Sequence, residues 1–263
     1  MTNPHPNSLA LHLRSLHIPG RPLLLTNVYD GATARVALAN PSTKALATAS
    51  FAIAEAQGTT DAALTFAENL AGIKAVARVL RRECPDTPLS VDLQDGYEDI
   101  AATIRAAVAE GVVGANIEDV DLETGKLRTV EDAVARIKAA MLAATMLGIN
   151  DFCINARTDV LLSGGSVEDA ITRGKAYLNA GAVTVFVWGG RERGMSTAEV
   201  KRLVEGLEGR VAVKMNLKPG ALTARELAEI GVARVSVGPE LYHQAMARFR
   251  DAAEKMIGNH QFE

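Results

Sequence analysis

Apolar runs rich in β-branched residues recur along the chain, at PLLLTNV (22–28), KALATAS (44–50), PLSVDLQ (88–94), GANIED (114–119), FCINART (152–158), VTVFVW (183–188), VAVKMN (211–216) and ARVSVG (233–238), eight in all. The segments between them change period. DAALTFAENLAGIKAVARVLRREC, TVEDAVARIKAAMLAATMLG and SVEDAITRGKAYLNAG carry apolar residues at helical spacing, and several open on Ser, Thr or Asp and close on Gly, as helix caps do. Strands alternating with helices imply parallel pairing, and eight such units imply closure into a (β/α)8 TIM barrel. An open doubly wound sheet is the competing α/β architecture, but no GxGxxG turn follows the first run. A short amphipathic helix is expected from about Ser8 to Leu16, after a frayed MTNPHPN tail, and a last helix from about Pro239 to Ile257. No low-complexity linker interrupts the alternation, so residues 1–263 read as one domain.

Side chains two apart on a strand share a face, and this sorts the polar residues near the run ends. Asp92 and Gln94 fall opposite Val91 and Leu93; Asn116 and Glu118 fall opposite Ala115 and Ile117; Asn155 pairs with Arg157, Thr48 with Ser50, and Lys214 with Asn216. In a parallel barrel this polar set points inward at the carboxyl ends of the strands, where barrel enzymes place their chemistry. Carboxylates there must be paired, hydrogen-bonded or bound to a cation, because burying a bare charge is costly. Two readings stand: Asp92 and Glu118 form a buried ionic network with Arg157 and Lys214, or they are ligands of a hard cation.

Composition narrows the partners. Nearly half the 263 residues are hydrophobic, enough for one large core, and the formal net charge of −3 without a long basic run removes the footprint that nucleic acid or an anionic membrane needs. The apolar stretch in NSLALHLRSLHIPG is interrupted by His12, Arg14 and His17 and is too short to span a bilayer. Cys84 and Cys153 are too few for a disulfide framework and lack metal spacing, which with the absence of an apolar span gives the expectation of a cytoplasmic protein. Cys153 reads as an inert core thiol and His243 as a helix-surface residue. The segment from Asp119 to Thr129 reads either as a lid or as a solvated connector.

ATAS at the end of the second run, VDLQDGY in the third, GANIEDV in the fourth and INARTD in the fifth together resemble the isocitrate lyase and phosphoenolpyruvate mutase superfamily, and NVYDGATARV and GVARVSVGPELY extend the likeness over most of the chain. The resemblance implies Mg2+ (or Mn2+) at the barrel mouth, binding a 2-oxo acid or its enolate. It implies Asp92 as a direct metal ligand, Glu118 as a ligand through water and Asp61 as another acid of the metal shell. Arg157 corresponds to the arginine holding the substrate carboxylate. Ser50, with Phe51 and Ala52 after it, corresponds to the stretch contacting the oxo acid; Tyr29 and Asp30 match a segment at the edge of the site. The resemblance further implies that the last helix is exchanged between subunits, giving homodimers that pair into homotetramers.

The chain departs from the family pattern at Gln94, which stands where a second acid of the metal cluster is usual; its oxygen can accept from metal-bound water, but a negative charge is lost. The lyase cysteine loop (Lys-Lys/Arg-Cys-Gly-His) is absent, which argues against isocitrate and methylisocitrate cleavage. The loop DVDLETGKLRT is not Asn-rich and the sixth run ends in Trp188 rather than histidine, which argues against phosphoryl transfer. Trp188, before Gly189 and Gly190, is either an aromatic wall of the site or a packing residue. The expectation is a Mg2+-dependent lyase cleaving a C–C bond of a small 2-oxo acid or 2-hydroxy carboxylate through an enolate, with Arg157, Ser50 and Glu118 catalytic and Trp188 and Asn216 among the residues meeting substrate. The alternatives are a phosphonopyruvate hydrolase or phosphoenolpyruvate phosphonomutase-like activity, a Schiff-base aldolase using Lys214, and a non-catalytic carboxylate-binding member.

Overall fold

In the computed structural model, which describes residues 5–218 and 220–258, the eight apolar runs form eight strands. They are β1 (Leu23–Val28), β2 (Leu46–Thr48), β3 (Leu89–Asp92), β4 (Gly114–Glu118), β5 (Cys153–Thr158), β6 (Thr184–Val187), β7 (Val211–Lys214) and β8 (Arg234–Ser236). Each pairs in parallel with the next and β8 pairs with β1, closing the barrel. Around it run α1 (Pro6–Ser15), α2 (Gly31–Leu38), α3 (Ser50–Gln57), α4 (Phe66–Glu83), α5 (Ile100–Ala109), α6 (Val130–Met146), α7 (Val167–Asn179), α8 (Thr197–Gly206), α9 (Ala224–Ile230) and α10 (Glu240–Gly258). Four helices start on reciprocal capping boxes of one type, Thr65 with Glu68, Ser166 with Asp169, Ser196 with Glu199 and Thr223 with Glu226, so the Ser/Thr signals fix the helix starts by satisfying orphan N–H groups.

Register then decides which side chains become neighbours. Asp92 pairs with Asn116 across β3 and β4, and Glu118 with Arg157 across β4 and β5. Below them a chain of hydrogen bonds crosses the barrel: Thr184 Oγ1 donates to Asn155 Oδ1 (2.7 Å), Asn155 Nδ2 to Asn116 Oδ1 (2.9 Å), and the buried Arg234 to Asn116 Oδ1 and Ser90 Oγ. At the amino-terminal end α1 buries Ala10 and Leu13 against the barrel; a Cβ on Gly114 would sit 2.8 Å from Leu13 Cδ2.

Several expected boundaries move, for local reasons. The second run pairs only over Leu46–Thr48, and Ser50 is already the first residue of α3, so the AQGTTD segment leads from the last residues of that helix, not from the strand, into a 3-10 turn at Asp61–Ala63. Strand alternation stops at Asp92: Gln94, Gly96 and Tyr97 all take positive φ (52°, 90° and 59°), so Gln94 lies in a turn and not on an inward strand face. α1 starts at Pro6, ahead of Ser8, because proline suits the first helical turn and the His5 ring accepts from Asn7 N. The MTNP of the expected tail lies outside the described residues. α10 has no buried residue and exposes Phe249, Met256 and Ile257. Among the described residues, no helix is long and apolar enough to cross a membrane.

Candidate active site

The carboxyl ends of the strands surround a cavity of about 240 Å3, into which Asp92 projects from β3, Arg157 from β5, Ser50 and Phe51 from the start of α3, and Asp61 from the 3-10 turn. A larger groove of about 530 Å3 lies beside α1 and α9, but no carboxylate lines it; volume alone does not choose the site.

Asp92 is positioned from three sides. Its backbone N–H donates to Thr48 Oγ1 (2.9 Å), its carbonyl accepts from Asn69 Nδ2 (2.9 Å), and its Oδ2 accepts from the backbone N–H (3.1 Å) and hydroxyl (3.0 Å) of Ser50. Oδ1 is buried with no partner. Gln94 shows the same asymmetry: Nε2 donates to the carbonyl (2.8 Å) and Oδ1 (3.1 Å) of Asp61, while Oε1 is buried and unpartnered. The Asp61 acceptors fix that amide orientation, since the reverse would set oxygen against oxygen. Burial, and then the charge of Asp92, raise the Asp61 carboxyl above its ordinary value.

Arg157 is the hub of the opposite part of the floor. Its Nε and Nη2 grip Asp159 in a forked pair (2.7 Å each) and its Nη1 donates to Glu118 Oε1 (2.8 Å). Trp188 lies over the guanidinium at 4.1 Å and Phe186 at 5.9 Å. Burial alone would lower the Arg157 pKa, but Glu118 and Asp159 outweigh it and hold the guanidinium above its usual value. Burial, opposed by Arg157 and reinforced by Asp92, Asp159 and Asp61, pushes Glu118 well up. Glu118 therefore sits behind Arg157 and does not line the cavity.

The charge pattern tests whether a cation fits. Glu118 and Asp159 are ion-paired with Arg157, whereas Asp61 and Asp92 have no salt-bridge partner among the described residues. The partnerless Asp92 Oδ1 is an oxygen donor, as hard divalent ions require. Among the described residues, no three His, Cys, Asp or Glu side chains converge as a metal cage: the side chain beside Asp61 is the amide of Gln94, and Glu118 is turned to Arg157. The residues fit an ion of Mg2+ type held through Asp92 beside Asp61, with most of its coordination from water and substrate, as that ion prefers.

The remaining expected residues separate. Trp188 and Phe51 line the cavity, and so does His243, which is half-buried against Phe51 (5.3 Å) and not simply a helix-surface residue. Ala52 is buried behind Phe51. Tyr29 packs edge-on to Tyr242 (5.3 Å) away from the cavity, and Asp30 is the N-cap of α2. Asn216 lies beyond the end of β7, exposed, accepting from Lys218 N; the strand alternation that aimed it inward ends at Lys214. The ionic-network reading joins Glu118 to Arg157 but leaves Asp92 without a cation partner; Lys214 pairs with Glu240 instead, at 2.9 Å. The Asp119–Thr129 segment is a hairpin closed by a Val120–Leu127 bridge, tied at its base by Arg128, which contacts both Asp95 and Asp121 at 2.8 Å.

Sequence reasoning passed over Asp159, Asn69, Arg191 and Glu240. Asp159 had a local signal, two residues beyond Arg157. Asn69, in the first turn of α4, had only its polarity at a buried position of that helix. Arg191 and Glu240 had none, because only the closed barrel brings the loop after β6 and the start of α10 to the same mouth.

The comparisons agree with this geometry. A family model described as phosphoenolpyruvate phosphomutase matches residues 13–257. An uncharacterized protein of Mycobacterium tuberculosis (strain ATCC 25618 / H37Rv) is 31% identical over 256 residues, 95% of this chain and 91% of that one. A crystal structure from Burkholderia cenocepacia J2315, described as a candidate phosphonomutase, shares 37% identity over 97% of this chain and 100% of its own, with a TM-score of 0.83. The crystal structure of 2,3-dimethylmalate lyase, a PEP mutase/isocitrate lyase superfamily member, shares 27% identity over 95% and 88%, with a TM-score of 0.82. With a closed barrel, an acid pair at its mouth and a match over nearly its whole length, the chain belongs to the phosphoenolpyruvate phosphomutase family, within the PEP mutase/isocitrate lyase superfamily.

Proposed function

We propose that the protein is a Mg2+-dependent lyase that cleaves a C–C bond of a small 2-oxo acid or 2-hydroxy carboxylate through an enolate. The observation that carries the reading is the buried, partnerless Oδ1 of Asp92, beside the Asp61 carboxyl, with no cationic side chain paired to either among the described residues. A divalent cation, when bound, supplies positive charge against the charge that develops on the oxo oxygen. This chain's own residues do the rest. Asp92, fixed by Thr48, Ser50 and Asn69, is the anchor, with Asp61 beside it. Arg157 has five N–H donors and gives three to Asp159 and Glu118, so two remain for a substrate oxygen. Phe51, Phe186 and Trp188 make the wall apolar, which limits water at the reacting carbon. The 2,3-dimethylmalate lyase named among the similar structures supports C–C chemistry, and Trp188 at the end of β6 favours it over phosphoryl transfer.

The Schiff-base reading is weaker, since the Lys214 ammonium is engaged by Glu240 at 2.9 Å. The test is a screen of 2-oxo and 2-hydroxy acids with Mg2+ or Mn2+, with product analysis. Turnover that EDTA abolishes, with no borohydride trapping, is the expected result. Metal-independent turnover trapped by borohydride would transfer the chemistry to Lys214, and metal-dependent oxalate binding without turnover of any acid would mark a non-catalytic binder.

A further inference from the structure

The cavity is electrically two-ended. On the β2 to β5 side stand Asp61 and Asp92, with Glu118 and Asp159 behind Arg157. On the other side Lys214 from β7, Arg191 from the loop after β6 and His243 from α10 gather around a single carboxylate, Glu240. Burial opposes ionisation of Glu240, but Lys214, His243 and Arg191 together hold its carboxyl below the ordinary range. Lys214 is held where it is. Its Nζ is fixed by Glu240 at 2.9 Å, and Gly238 leaves the space its stem needs, since a Cβ there would lie 2.9 Å from Lys214 Cε. Arg157 has two N–H donors left, the ones assigned above to a substrate oxygen at the Asp92 end, so a second anion calls for another cation.

We propose that Lys214, positioned by Glu240 and assisted by Arg191, receives a second anionic group of the substrate at the end of the cavity away from Asp92, and so sets specificity for dicarboxylates over monocarboxylates. This rests on the lyase reading for the Asp92 end only. The cavity volume of about 240 Å3 is below that of sites for coenzyme-sized ligands, so both ends are reached by a short chain of carbons. Lys214 and Arg191 then discriminate by charge, and the apolar faces of Phe51, Phe186 and Trp188 that line the cavity limit water around the linking carbons.

The test measures binding of oxalate, pyruvate, L-malate, D-malate and 2-oxoglutarate to the full chain by calorimetry, with and without Mn2+. The proteins are wild type, Lys214→Met, Lys214→Arg, Arg191→Met and, as a loop control, Arg193→Met. The best of the malates and 2-oxoglutarate is expected to bind about tenfold or more tightly than pyruvate, and Lys214→Met to remove that advantage while leaving pyruvate, and oxalate, whose adjacent carboxylates are too close together to reach both ends, within about twofold. Lys214→Arg should restore part of it, Arg191→Met should lose part of it, and Arg193→Met should change nothing. The proposal is overturned if neither the malates nor 2-oxoglutarate are preferred over pyruvate, if Lys214→Met leaves the preference intact, or if it weakens all five ligands alike, as a purely structural role would. Failure of the metal reading is separate: oxalate binding would not depend on Mn2+, while the dependence of dicarboxylates on Lys214 would remain measurable in its absence.

Discussion

Replacing Asp92 by asparagine separates an aspartate kept for a cation from one kept for the fold. In the structure its Oδ2 takes two hydrogen bonds from Ser50 and its Oδ1 takes none. An asparagine can give its carbonyl oxygen to Ser50 and turn its amide toward the position where Oδ1 had no partner, beside the Asp61 carboxyl that the Asp92 charge now raises. The substitution weakens two charge-assisted hydrogen bonds, at a cost of about 1–2 kcal/mol, and removes repulsion among the floor carboxylates of similar size at an effective dielectric of about 20. The two nearly cancel, so the metal-free fold should change by no more than about 1 kcal/mol, or roughly 2–4 °C in Tm for a chain of this size. Removing one partner of a buried ion pair would instead cost about 3–5 kcal/mol. The second half of the experiment is linkage: Mn2+ at a hundred times its Kd should stabilise the wild type by about 2.7 kcal/mol and the variant hardly at all. Thermal melts in EDTA and in saturating Mn2+ read both quantities. A variant that melts far below wild type in EDTA, with Mn2+ shifting the two proteins equally, would refute the assignment of Asp92.

Three further outcomes test other parts of the molecule. His17 is partly buried overall, but its Nε2 is sealed from solvent, and burial, with Arg234 nearby, lowers its pKa to about 3. The unfolded chain therefore takes up the proton first: the contribution of His17 is complete above about pH 6.5 and is lost as pH falls toward 3, so wild type should lose about 2 kcal/mol between pH 6.5 and 5 in urea titrations that His17→Gln does not lose. The buried Tyr177 hydroxyl donates to Asp119 Oδ2 at 2.7 Å, and Tyr177→Phe should cost about 1.5–3 kcal/mol in the same titrations; no loss would mean that Arg173 alone satisfies Asp119. Burial pushes the Cys153 thiol up to about 12, so a thiol reagent at pH 8 should label the half-buried Cys84 first and Cys153 only on unfolding; equal rates would contradict its packing under α1.

The barrel was legible in the sequence because its signals are local and repeated. Eight β-branched runs, separated by helical periods whose starts carry Ser or Thr with an acid three residues later, leave few other α/β arrangements. What local pattern did not give was where each strand stops. Alternation was carried two residues too far at Ser50, Gln94 and Asn216, and the errors have one source. Beyond Thr48 the chain enters α3 almost at once. Beyond Asp92 the chain turns through left-handed backbone, and beyond Lys214 it leaves the ladder, so a period of two no longer applies.

The candidate site divides along the same line. Asp92, Glu118 and Arg157 are strand residues at the carboxyl ends of β3, β4 and β5, and adjacent registers make them neighbours, so one periodic rule reached all three. The partition among them was beyond that rule. A Glu118 turned to Arg157 and an Asp92 left with an open oxygen are equally consistent with the sequence, and only the side-chain geometry separates them. The Lys214 end needed still more, because Arg191, Glu240 and His243 come from a loop and a helix start that meet only on closure of the barrel. Strand ends thus carry the chemistry common to the family fold, readable one strand at a time. On the specificity proposed above, Lys214 of β7, the loop after β6 and α10 act together at the other end, and this grouping is readable only once they are assembled. It follows that Lys214→Met and Asp92→Asn should act on different quantities, the first on which acid binds and the second on whether a cation does, and that their effects on ligand affinity should be close to additive across the cavity.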